Sequence, residues 1–460
     1  MMVKIVLLVL LHALCLKCDI SVQVYRDWSD IVLNTTVTSF ANLSEILIGK
    51  VYNLVVIENQ TVPTVPRNIL SGLNFQEFRM VNDKITELES GILDDARVEN
   101  IFFIDNQLQV LKKGVFNNKT LEVLSFMNNR ISKIEDGALE GLTVKTLVLT
   151  ENHLEEITAN TFDKSTITML KLDYNRIVRI EENSFQKISR LAYINLRDNQ
   201  IKEIGNIFKN IPNLAELNLT YNRITIVGTE NFIGSPIVCI YLSGNQITEI
   251  KKGIFNSKQY TFIALDNNQI TSIEDGAFAD IKNLEHLVLS YNKLGDLNRS
   301  AIGGFTKAIG LKLDNNVIMH IAPNTFQNVK LKELDLSNNL LTVIKKGFFN
   351  NSEIISLKLG HNEIYDIDVG AFEEIKNLAY LDLGHNELSE IKKGMINIPL
   401  NNVVLENNKI RKIDKEVLKD FDLYSLLLDN NPILTKGQYE SESEEDSSEE
   451  DSTEEDSAPD

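Results

Sequence analysis

One residue recurs along this chain with a near-constant step, and that recurrence limits what the chain can fold into. Asparagine stands at Asn106, Asn129, Asn152, Asn175, Asn199, Asn222, Asn245, Asn268, Asn292, Asn316, Asn339, Asn362, Asn386, Asn408 and Asn431, in steps of 22 to 24 residues. Asp83 takes the slot one step earlier, and Asn59 is read as a degenerate first instance. Each Asn sits in the same setting, Leu-x-x-Leu-x-Leu-x-x-Asn-x-Leu, as in Leu334-Asp335-Leu336-Ser337-Asn338-Asn339-Leu340-Leu341. A unit this short cannot bury its own apolar edge. Stacked units can share one continuous interior, so a fixed period dictates a solenoid rather than a set of independent domains. The pattern spans residues 51–433 in seventeen units.

The pattern has a physical reading at each position. Leu-x-Leu alternates as a short strand does, with the two leucines inward and the intervening residues outward. After the strand the chain must turn, and its inward-pointing backbone groups need partners. An Asn amide offers two donors and an acceptor, enough to bridge neighbouring turns as a ladder. Asp83 lacks the donors, so its rung is expected to be weak. Ten residues after most of the Asn positions comes a large apolar residue: Phe116, Leu139, Phe162, Phe185, Phe232, Phe255, Phe278, Ile302, Phe326, Phe349 and Phe372, with Phe208 at nine. These predict a second, largely aromatic spine. Glycine two residues before it, as at Gly114, Gly253 and Gly347, predicts a tight backbone bend there.

In period and motif the chain resembles the extracellular leucine-rich-repeat family, of the 23–24-residue type found in Toll receptors, Slit and the small leucine-rich proteoglycans. The resemblance implies an α/β repeat solenoid: a curved horseshoe with a parallel β-sheet on its concave face and short irregular or 3₁₀ segments on its convex face. It also implies a non-enzymatic role in adhesion, matrix assembly or innate-immune recognition. Extracellular relatives usually close their ends with cysteine-rich caps. Here residues 19–50 hold no cysteine, and a cap built by packing of Trp28, Ile31, Leu33 and Phe40 is expected instead.

The ends differ from the repeats. Lys4 followed by the apolar run Ile5–Leu16 has the order of a signal peptide, with cleavage after Cys15 or Cys18; residues 1–18 are assigned to it. No other stretch is long and apolar enough to suggest a membrane span, so a secreted product is expected. Asn-x-Ser/Thr sequons at Asn34, Asn42, Asn59, Asn118, Asn218, Asn298 and Asn350 fit that route as glycosylation sites. Residues 434–460 form an acidic Ser/Glu/Asp tail expected to be disordered. Residues 440–460 alone hold twelve acidic residues and no basic one, so most of the net charge of −19 resides there. Ser441, Ser443, Ser447, Ser448 and Ser452 lie in acidic contexts suited to phosphorylation. Calcium or a basic partner suits such a tail, which leaves a second reading open, a soluble structural constituent of matrix, saliva or venom; nucleic acid does not suit it, because its phosphates would be repelled.

No phosphate-binding loop, HExxH helix or cofactor motif occurs, and no enzyme or cofactor is expected. The candidate partner-binding surface is the outward face of the mid-array strands: Met169, Tyr174, Tyr193, Tyr221, Tyr241, Phe262, His286 and Tyr291, on six successive turns. Exposed aromatic residues supply rigid contact area of the kind that dominates binding energy. Elsewhere that face is acidic or small, as at Asp314, Glu333, Asp335, Asp382 and Glu406. Cys239 would be unpaired in a mature chain, which leaves an intermolecular disulfide or a covered free thiol. His361 and His385 occupy equivalent places on adjacent turns. They are weak candidates for a metal site, with Asp382 or Glu406 as third ligand, or for a pH-sensitive pair; a duplicated solvated position is the plainer reading.

Overall fold

The structure is a computed structural model. It describes residues 51–255, 259–302, 309–396, 402–417 and 426–433, together with the backbone of 3–7, 20–26 and 30–37. It divides into two compact units, Met1–Asn292 and Lys293–Asp460.

In the first unit the Leu-x-Leu segments are strands of one parallel sheet. They run Val51–Glu58, Asn74–Val81, Asn100–Ile104, Thr120–Ser125, Thr143–Val148, Thr166–Lys171, Tyr193–Asn195, Glu216–Asn218, Cys239–Tyr241, Phe262–Ala264 and His286–Val288. The register follows the repeat: Leu170 pairs with Ile194, Ile194 with Leu217 and Leu217 with Ile240, all fully buried. In the second unit the same architecture is built by Gly310–Lys312, Lys330–Asp335, Glu353–Lys358, Tyr380–Asp382, Asn402–Val404 and Leu426–Leu427. The chain is thus a parallel β-sheet solenoid, with almost no helix among the described residues. Arg299–Ile302 is a single helical turn.

The Asn ladder forms as its chemistry requires. Asn199 donates through Nδ2 to the carbonyls of Leu172 and Leu196, both at 3.0 Å, and its Oδ1 accepts from the Ile177 amide at 2.9 Å. Asn222, Asn245 and Asn268 repeat this geometry on the following turns. The first rung differs from expectation. Gln60, buried, takes the ladder place rather than Asn59, and donates its backbone N–H to Asp83 Oδ1 at 2.9 Å. Asn59 is one residue early, exposed and left-handed at φ 60°. Asp83 is fully buried, and its Oδ2 has no hydrogen-bond partner among the described residues. Burial, the largest cause, pushes its carboxyl up from 3.8 to about 7.

The second spine also forms. Phe162, Phe185 and Phe208 stack at centroid distances of 6.1 and 5.9 Å, and Phe255 stacks on Phe278 at 5.7 Å. In the second unit Phe326, Phe349 and Phe372 stack at 5.5 and 6.1 Å. The column is interrupted at Leu139, and Phe116 turns edge-on to Phe126 instead. Gly114, Gly253 and Gly347 have φ of 88°, 87° and 100°, values a side chain would strain.

The wall beyond the ladder carries two-residue parallel strands, the short extended pieces that a unit of about 23 residues leaves room for. Glu156–Ile157 pairs with Arg179–Ile180, Glu249–Ile250 with Ser272–Ile273, and Val343–Ile344 with Asp366–Ile367. An isoleucine closes each of them, buried at Ile157, Ile180, Ile250, Ile344 and Ile367 and half-buried at Ile273.

Tyr260 takes the place of the first leucine of its repeat. It is fully buried, edge-on to Phe255 at 5.6 Å, and its hydroxyl has no partner among the described residues. Burial holds the phenol well above its usual range. Removing an unsatisfied buried hydroxyl at constant shape should help the fold. Tyr260→Phe is expected to stabilise it by about 1 kcal/mol; a lower denaturation midpoint than the parent would show that the hydroxyl has a partner.

At the N-terminal edge, Ile20–Arg26 pairs antiparallel with Asp30–Val37 and with Val51–Glu58. Val3–Leu7 is a strand beside Ile20–Arg26. Trp28, Phe40, Asn42, the rest of the 1–18 segment expected to be a signal peptide and the tail 434–460 lie outside the described residues, as do the side chains of Ile31, Leu33 and Asn34.

Candidate partner-binding surface

Strand register builds the surface in two columns. The residue before the first inward leucine runs Thr146, Met169, Tyr193, Glu216, Cys239, Phe262, His286 on consecutive strands. The residue between the leucines runs Val148, Lys171, Asn195, Asn218, Tyr241, Ala264, Val288. Of the residues expected to meet, Met169, Tyr193, Tyr241, Phe262 and His286 are on this face and half-buried. Tyr241 and Phe262 lie with ring centroids 5.2 Å apart, and Phe262 and His286 at 5.8 Å.

Tyr174, Tyr221 and Tyr291 are elsewhere, which corrects their expected place on the sheet. Each immediately precedes a ladder Asn, in the turn after the strand, with φ of 54°, 53° and 56°. Most turns of the first unit have Asn, Asp or Gly at this left-handed position: Asn59, Asn82, Asp105, Asn128, Asp198, Gly244 and Asn267. Those residues tolerate it, whereas a tyrosine there costs on the order of 1 kcal/mol. Two of the three tyrosines are tied together: the Arg197 guanidinium lies 5.0 Å from the Tyr221 ring and 5.9 Å from that of Tyr174, and pairs with Asp198 at 2.7 Å. The Tyr221 ring also lies over Gly244, where a Cβ would meet it at 2.3 Å. The eight residues therefore divide between a sheet-face group and a group along the edge of the sheet.

Glu216, Arg197 and an apolar extension of the face were not singled out from the sequence. Glu216 sits in register between Tyr193 and Cys239. Phe102, Val123 and Val148 continue the surface toward the N-terminus, half-buried, with Met127 exposed in the turn beside them and Arg79 lying 5.0 Å over Phe102. Leu-x-Leu alternation places Glu216, Phe102, Val123 and Val148 outward. The signal was present, but valine and phenylalanine in a strand read equally well as strand formers.

The electrostatics of the face follow from burial. Tyr193 is pushed up to about 12, by burial first and then by Glu216. Burial also raises Glu216, Tyr241 and the Cys239 thiol, and the Glu216 charge adds to the last two. Cys239 is the free cysteine among the described residues and is half-buried. Its environment disfavours the thiolate, which works against the disulfide expected of an exposed thiol.

The histidine pair is adjacent, as the repeat predicts, but its geometry does not suit a metal. The rings stack in parallel at 4.0 Å with 11° between planes. Ring nitrogens bind metals in the ring plane, so parallel stacked rings do not converge on one ion. Asp382 is committed to the Gly384 amide at 2.9 Å, and His385 Nε2 lies 3.1 Å from Asn407 Nδ2. No group of three ligating side chains occurs among the described residues. In the second unit the sheet face is charged: Lys358 pairs with Glu333 and lies 3.9 Å from Asp335.

The sequons are unequal. Asn59, Asn118 and Asn298 are exposed, whereas Asn350 uses its Nδ2 in a 2.8 Å bond to Asn324. Asn218 is half-buried on the sheet face beside Tyr241.

Family comparison agrees with this architecture. Descriptions of the leucine-rich repeat match residues 235–294, 261–318, 283–341, 329–388 and 352–399, and the BspA-type leucine-rich repeat region matches 51–168 and 109–235. The chain belongs to the leucine-rich-repeat proteins. Among solved structures it is similar to a Leptospira interrogans leucine-rich-repeat protein, at 22% identity over 80% of this chain and 93% of that one, with a TM-score of 0.59. It is similar to a chain of the Toll–Spatzle complex of Drosophila, at 16% identity over 86% and 68%, TM-score 0.56. The APL1 leucine-rich repeat domain is also similar, at 22% identity over 73% and 81%, TM-score 0.53. These likenesses are of fold. No curated protein matches the chain. Among the described residues no helix is long and apolar enough to cross a membrane.

Proposed function

We propose that this protein is a secreted recognition module that binds a protein partner through the outward face of its sheet around Tyr193, Tyr241 and Phe262. The observation that carries the reading is the register itself. Consecutive strands bring half-exposed aromatic rings into contact on the outward face of the sheet. Rigid aromatic area with a polar rim is what binding hot spots are made of. The chain of similar fold in the Toll–Spatzle complex comes from an assembly of two proteins, which fits a binding role. The leader sequence and the exposed Asn59, Asn118 and Asn298 sequons support export and glycosylation. The acidic tail would serve a separate role, toward calcium or basic partners.

The test uses the full chain without its leader. Peptides selected on it from a random display library are expected to compete for one surface. The double substitution Tyr193→Ala with Tyr241→Ala should weaken them about thirtyfold, and deletion of 440–460 should leave them unchanged. Selected peptides that bind the double variant as tightly as the parent would refute the assignment.

A further inference from the structure

Glu216 is the feature of this face that an aromatic contact surface alone does not explain. It stands in the middle of the patch, in register with Tyr193 on one side and Cys239 on the other, and Tyr241 follows Asn218 on the next strand. Neighbouring strands of a sheet are about 4.8 Å apart, so the carboxylate is within reach of both tyrosine rings. It is half-buried, and no lysine or arginine among the described residues pairs with it. The nearest arginine in sequence on the preceding turn, Arg197, is held by Asp198 and by the two edge tyrosines.

A partner that covers the patch must deal with this charge. A neutral apolar surface would strand a desolvated carboxylate, and an acidic one would be repelled. A cation removes the penalty and also gains from the ring faces beside it. The chain already holds one guanidinium in that manner, Arg197 against Tyr221 at 5.0 Å. Resting on the reading above, we infer that the sheet face recognises a lysine or arginine side chain of the partner polypeptide, seated on Glu216 between Tyr193 and Tyr241.

The probes are the blocked tripeptides acetyl-Ala-Arg-Ala-amide and acetyl-Ala-citrulline-Ala-amide, equal in shape and unequal in charge. They are titrated into the full chain carrying 3-fluorotyrosine, at 150 mM salt, roughly physiological ionic strength. The fluorine signals of Tyr193 and Tyr241 are identified through their Tyr→Phe variants. The arginine peptide should move both signals and the citrulline peptide neither. Glu216→Gln should weaken the arginine titration about fivefold, while Glu203→Gln, an exposed carboxylate off the face, should not. Melting curves of both Gln variants check that the fold is retained. No titration by the arginine peptide, equal titration by both peptides, or an unchanged Glu216→Gln response would each overturn the inference. Display-selected peptides that lack Lys and Arg, yet still need Tyr193 and Tyr241, would also overturn it while leaving the binding surface in place.

Discussion

Asp83→Asn is expected to stabilise the N-terminal repeats by about 4 kcal/mol at pH 8 and by little at pH 4. In the rung above, Asn106 directs Nδ2 at the carbonyls of Met80 and Ile104, at 3.0 and 2.9 Å. Asp83 occupies the same kind of place without donors, and its Oδ2 is unpaired among the described residues. Burial raises its carboxyl from 3.8 to about 7, so the folded form holds a proton that the unfolded chain releases near 4. Between those values the folded state binds more protons, and stability falls as pH rises. The whole cost is present above pH 7, and it vanishes below the unfolded value, where both states are protonated. The neutral acid then supplies one donor, as an amide would. Asparagine has its donors at every pH. Denaturant melts of parent and variant across pH 4–8 decide the matter: parallel pH profiles would mean that Asp83 is not a titrating rung.

The largest loss should come from the aromatic spine. Phe185 is fully buried and stacked on both sides, on Phe162 at 6.1 Å and Phe208 at 5.9 Å. Phe185→Ala removes a ring and leaves a cavity that two neighbouring turns cannot close, because the ladder and the sheet hold their spacing. A cost of about 4 kcal/mol is expected. In a solenoid each turn contacts only its neighbours, so the damage should be local. Amide exchange should accelerate first in the turns carrying Phe162, Phe185 and Phe208 and only later at distant turns of the same unit. Uniform acceleration across residues 51–292 would show that the unit unfolds as a single body.

The sheet face and its edge carry different risks. Tyr174, Tyr221 and Tyr291 hold left-handed backbone that Asn or Gly adopts more readily at the same place in other turns. Strain kept in three turns of one region fits a role in contact rather than in folding. The structure moves these three off the strand face, yet the Arg197 stack gives two of them a defined arrangement along its edge.

Periodicity alone determined the stacking of turns, the inward leucines, the amide ladder and the phenylalanine column. Each depends on contacts between residues about one period apart, so spacing in the sequence is spacing in space. It also indicated Asp83 as a weak rung, because a missing donor is a property of the residue itself. What the sequence could not assign was anything governed by backbone handedness or by lateral neighbours. Asn59 and Gln60 are both amides, and only the turn geometry decided that Gln60 enters the ladder while Asn59 faces outward. Tyr193 and Tyr221 are the same residue type, and one is on the sheet while the other is at positive φ. The carboxylate between Tyr193 and Cys239 became visible only when three strands were brought into register, since the residues that surround Glu216 are 23 positions away on either side.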